Sequence, residues 1–78
     1  MLKLRTGDEV AILPNRSAPA EKVSSLAIVS YAGSALIELD NGRLYFVLDG
    51  RALNSPGCIV PANEQHRAEI LRRTNYTG

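Results

Sequence analysis

Residues 36–47, LIELDNGRLYFV, constrain this chain most, because an Asn41-Gly42 pair sits between two alternating apolar runs, the strongest short-range signal for a β-hairpin. A two-residue type I′ turn asks for positive φ at both central positions, which Asn tolerates and Gly adopts at no steric cost. Such a turn makes Asp40 and Arg43 neighbours and sets Leu39 opposite Leu44, Glu38 opposite Tyr45, Ile37 opposite Phe46 and Leu36 opposite Val47. Facing residues share a side of the sheet. The expectation is a core side of Ile37, Leu39, Leu44 and Phe46. Glu38, Asp40, Arg43 and Tyr45 then gather on the other side, as a candidate binding surface or an ordinary solvated face.

The flanking sequence supplies further strands. Gly7-Asp8-Glu9 reads as a turn feeding a strand over residues 10–13, which Pro14 and Asn15 end. A polar loop, NRSAPAEK, follows at residues 15–22. Residues 23–31, VSSLAIVSY, form a second strand, with Leu26, Ile28 and Ser30 on one face and Ala27, Val29 and Tyr31 on the other. Ala32-Gly33-Ser34 is a tight connection into the hairpin, Asp49-Gly50 ends the fourth strand, and Cys58-Ile59-Val60 closes the sheet as a short fifth. After Pro61-Ala62, Asn63 is a good helix N-cap, Glu64 sits where the helix dipole favours an anion, and Arg72 and Arg73 sit where it favours cations. The fold class is mainly β with one C-terminal helix, a five-stranded antiparallel small barrel or strongly twisted sheet. Residues 1–62 form the β part, 63–73 a helix packed on it, and 74–78 a frayed tail.

At 78 residues the chain makes one domain, and a domain this short buries only roughly 60% of its unfolded surface, leaving little room for a deep catalytic cleft. The single cysteine, Cys58, forms no intrachain disulfide and completes no Cys/His zinc set. Neither a signal-peptide apolar region nor a run of about eighteen apolar residues is present, so the expected location is the cytoplasm. The net charge of +1 is no electrostatic footprint for DNA. Its distribution is uneven, with basic ends and an acidic middle, and most of the cations are Arg, the side chain suited to bidentate and stacking contacts.

Catalytic chemistry has few residues to draw on. The only histidine, His66, has no carboxylate beside it in sequence, and Cys58 adjoins an apolar run, so a Cys58/His66 nucleophile pair is the one enzymatic reading available. Asp8-Glu9 and Asp40 with Asp49 match no calcium-loop spacing, and no phosphate-binding glycine motif occurs. The expectation is no catalytic residue, no metal and no cofactor. Binding is better supplied. Arg43, Tyr45, Glu38 and Tyr31 are placed on sheet strands, and Arg67, Arg72 and Arg73 on the helix form a possible second patch, or serve only dipole complementarity and solubility.

The order strand, long loop, three-strand meander, turn and short final strand over about residues 5–60 resembles the Src-homology-3-like small β-barrels, a fold that many unrelated functions share. Residues 36–73, with IELDNGRLYF, DGRAL and VPANEQHRAEILRR, look like short uncharacterised phage and bacterial proteins that pair a Gly-Arg-x-aromatic hairpin with a capped helix. That resemblance implies a mobile-element setting and no residue role. The leading expectation is a non-enzymatic binding module acting on a host protein or nucleoprotein complex, for example an inhibitor of host defence of the anti-CRISPR type. A self-associating structural or accessory subunit is the alternative, and a nucleic-acid-binding small barrel the third reading. The expected oligomeric state is a monomer or small homo-oligomer, with no membrane partner.

Overall fold

The run EVAIL carries no charge after its first residue. In the computed structural model, which describes residues 2–74, it forms strand β1 (Glu9–Leu13). Antiparallel partners lie on both of its edges, β2 (Ser25–Ala32) and β5 (Cys58–Pro61), with Val10 opposite Ala27 and Leu13 opposite Cys58. β1 is covered on both faces. Val10 joins the main core of Ala27, Val29, Ile37, Leu39, Tyr45, Val47 and Ile59. Ala11 and Leu13 point the other way, into a second cluster with Val23 and Cys58 against which Ile70 of the helix packs. Burial on both sides explains why the strand reads as a continuous apolar run and not as an alternation.

β2 pairs with β1 through its first half and with β3 (Leu36–Leu39) through its second, and β3 pairs with β4 (Leu44–Phe46). The strand order β4-β3-β2-β1-β5 gives five antiparallel strands that curl into a half-barrel, with one C-terminal helix. Arg51 and Ala52 bridge the far ends, Ala52 pairing with Tyr45 and Arg51 with Cys58. Gly50 makes this return possible. Its φ is 80°, and a Cβ there would stand 2.5 Å from the Ile59 carbonyl oxygen.

The hairpin differs from expectation by one residue. Leu36 pairs with Phe46, Ile37 with Tyr45 and Glu38 with Leu44. Gly42 alone of the turn residues has positive φ, at 83°, and its N–H donates to the Leu39 carbonyl at 2.9 Å, while the Leu39 N–H donates to the Arg43 carbonyl at 3.0 Å. Asp40, Asn41 and Gly42 therefore form a three-residue loop, a type I turn with a left-handed glycine, and not a two-residue type I′ turn. Two local bonds hold it. Asn41 Oδ1 accepts the Arg43 N–H at 2.9 Å, and Asp40 exchanges backbone and carboxylate bonds with Ile28 of β2.

The extra loop residue turns every side chain of β4 to the opposite face. Tyr45 is in the core at 1% exposure, which corrects its placement on an outer surface, and Phe46, expected in the core, faces outward. Leu44 is only half-buried, and Val47 takes a core position. A β-bulge in β2 between Val29 and Tyr31 likewise carries Tyr31 off the face of Ala27 and Val29, to stand opposite Glu38.

Helix α1 (Glu64–Thr74) starts on the expected cap and ends one residue later than expected. The His66 N–H donates to Asn63 Oδ1 at 2.9 Å, and the Asn63 N–H donates to His66 Nδ1 at 3.2 Å. This is the reciprocal geometry of a capping box, with His in the third position where Glu or Gln is usual. Thr74, expected in the tail, is helical; the rest of that tail, residues 75–78 with Tyr76, lies outside the described residues. At the helix C-terminus the Arg73 guanidinium donates to the carbonyls of Glu21 and Val23, fastening α1 to a short 3-10 helix at Ala20–Lys22.

Candidate functional site

Once the register is set, the outer face of the hairpin becomes mostly apolar. Opposed residues project to the same side, so one row holds Tyr31, Glu38 and Leu44, continued by Leu53, whose N–H donates to the Leu44 carbonyl at 3.0 Å. The next row holds Gly33, Leu36 and Phe46, continued by Arg51, whose carbonyl accepts the Phe46 N–H at 2.8 Å. Tyr31 is 63% exposed, Phe46 37% and Leu53 39%, and Leu48 in the turn beyond β4 is 75% exposed. The Tyr31 ring lies over Gly33, where a Cβ would come within 3.1 Å of Cε2. A ring braced this way loses little freedom on binding.

Glu38 is the one acidic group within these two rows, and its backbone carbonyl accepts the Ser30 hydroxyl at 3.1 Å. Arg51 stands at the rim, paired with Asp49 at 3.0 Å. The Arg51 backbone N–H, ahead of its guanidinium, holds the Asp49 carboxyl below the usual carboxylate range. A mostly apolar face with Glu38 within it and the Arg51–Asp49 pair at one edge has the mixed composition that protein interfaces use.

The residues expected to bind do not come together. Tyr31 and Glu38 are on this face. Arg43 lies at the hairpin tip and Tyr45 behind it in the core, where burial pushes its phenol above the usual range against the pull of the Arg43 guanidinium. The helix arginines are engaged within the chain: Arg67 pairs with Glu9, and Arg72 and Arg73 both pair with Glu69, whose carboxyl the hydrogen bond from Arg72 draws down first. They fasten the helix more than they offer a free patch. A two-residue turn puts Leu44 and Phe46 on the core side, and counting Asp40 as part of the loop moves both outward. Leu36 shares the face of Glu38 in either register, and Leu48 and Leu53 lie in the return beyond β4.

Among the described residues no hydrogen bond joins Cys58 and His66, whose partner is Asn63. Cys58 is buried among Ala11, Leu13 and Val23, and burial pushes its thiol up. The Nδ1 of His66 accepts the Asn63 N–H. No group of three or more metal-binding side chains occurs among the described residues, and no described helix is long and apolar enough to cross a membrane. Comparison with protein-family models, with curated proteins and with solved structures finds no match.

Proposed function

We propose that this protein is a non-enzymatic binding module whose outer sheet face, centred on Tyr31 and Phe46, receives a partner protein. One observation carries the reading: Tyr31, Phe46 and Leu53 stand exposed, with Leu36 and Leu44 half-buried beside them, on adjacent rows of a sheet whose other side is a packed core. A contiguous apolar patch of this kind marks an interaction surface. Nucleic acid fits the face poorly, because Glu38 lies within it and repels phosphate, while the helix arginines already have carboxylate or carbonyl partners. Following the resemblance to short phage and bacterial proteins, the partner is a host protein or nucleoprotein complex, and blocking such a complex is the activity a module without catalytic groups would have.

The test is capture of a defined protein from a host extract by immobilised wild-type protein and by the double variant Tyr31→Ser/Phe46→Ser, with thermal melts confirming that both are folded. Capture is expected to be lost in the variant and to weaken only shallowly with salt. Equal capture by both, or a nucleic acid released steeply by salt, overturns the reading. Sedimentation at micromolar concentration separates the remaining case, since a concentration-dependent dimer would assign the face to a second copy of this chain.

A further inference from the structure

On the far side of the hairpin from the outer face, a groove of about 530 Å³ runs between the end of β1, the start of β2, the hairpin tip and residues 55–57. Among the described residues Arg43 is the only charged one lining it, and its guanidinium makes no ion pair there. Tyr45 is the second feature. The residue is 1% exposed, yet its hydroxyl makes no hydrogen bond to any described residue. Among the described residues no side-chain polar atom is sealed in the interior without a partner, so solvent reaches this hydroxyl, and Tyr45 lines the groove. A phenol and an unpaired guanidinium that line one groove, with the Arg43 charge felt at the phenol, offer two donors with no acceptor among the described side chains.

We propose that this groove binds an acidic peptide segment, its carboxylate held jointly by the Arg43 guanidinium and the Tyr45 hydroxyl. A phenol is protonated at neutral pH at its ordinary pKa of about 10, and burial pushes it further up, so it donates. Ser24, Ser25 and Ser55 add hydroxyl donors along the wall. Leu13, Pro14 and Pro56 supply apolar surface for the residues beside the carboxylate. The single cation selects the ligand's charge. A carboxylate monoanion balances one guanidinium, whereas a phosphate dianion would leave a charge unmet in a partly enclosed site. The groove is distinct from the Tyr31/Phe46 face, and the two stand or fall separately.

The experiment is a titration of the isotope-labelled protein with the blocked tripeptide acetyl-Leu-Glu-Leu-amide, with its Gln counterpart and with inorganic phosphate, followed by amide chemical shifts. The Glu peptide is expected to give saturable shifts at Arg43, Tyr45 and Ser55 and to bind at least about fivefold more tightly than the Gln peptide. Arg43→Gln should remove that preference, and Tyr45→Phe, which keeps the ring in the core, should weaken binding about threefold or more. The Tyr31→Ser/Phe46→Ser variant should bind the peptide as the wild type does. Equal binding of Glu and Gln peptides, or shifts confined to Lys3 and Arg5, would overturn the proposal. Saturation by phosphate more tightly than by the Glu peptide would overturn the carboxylate assignment.

Discussion

Ile37 stands directly opposite Tyr45, and that pairing decides which side of the hairpin is core and which is surface. A shift of one residue would bury Phe46 and expose the phenol. The two registers predict opposite mutational rankings. Tyr45→Ala is expected to cost about 3 to 5 kcal/mol, as for a large aromatic removed from a packed core. Phe46→Ala is expected to cost no more than about 1.5 kcal/mol. Urea denaturation of both variants measures the order, and a larger loss for Phe46→Ala would restore the two-residue turn.

Most of the fold was legible in the sequence, because β1, β2 and β3 end at Pro14, Gly33 and Asp40 and the helix carries its cap and charges at the expected positions, although β4 stops at Phe46, ahead of the Asp49-Gly50 pair expected to end it. The register was not legible from the Asn-Gly pair alone. Asn41-Gly42 serves a two-residue type I′ turn or the last two positions of a three-residue loop, and the choice was made by Asp40 bonding to Ile28, twelve residues away. The bulge that exposes Tyr31 is equally non-local. Of the site, only Glu38 could be placed on its face in advance. Arg67 and Arg73 read as a surface patch because their partners, the Glu9 carboxylate and the Glu21 and Val23 carbonyls, lie 50 to 58 residues distant in the chain.

The reciprocal bonds between Asn63 and His66 predict a graded series. Asn63→Ala should lose about 1 kcal/mol of stability. His66→Gln keeps a side-chain acceptor at the third helical position and should lose less than His66→Ala, which removes both the acceptor and a buried ring. Thermal melts of the three variants give the ranking.

Two glycines with similar φ should differ in their tolerance of a side chain. A Cβ at Gly42 meets nothing within 4 Å, so Gly42→Ala carries only the backbone cost of the left-handed region, about 1 to 2 kcal/mol. At Gly50 the same change also drives a Cβ against the Ile59 carbonyl. Denaturation midpoints should fall further for Gly50→Ala, with loss of the bridge between β4 and β5.

Stability should fall at both ends of the pH range. Asp49 and Glu69 have carboxyl pKa values below their ordinary ones, so their contribution is present above the unfolded-state value, about pH 4, and is lost as pH drops through the lowered native values. Cys58 and Tyr45 are shifted up by burial, so stability should decline above about pH 8.5 and again above about pH 10, where the unfolded thiol and phenol ionise first. Urea midpoints measured across pH give the profile. Glu69→Gln should soften the acid limb and Cys58→Ala the first alkaline step.

The most direct measurement of the binding face is amide hydrogen exchange on the protein alone and in complex with its captured partner. The outer sheet face predicts new protection at Tyr31, Leu36, Phe46 and Leu53, with little change along α1. Protection centred on Arg67, Arg72 and Arg73, with the hairpin unchanged, would contradict it.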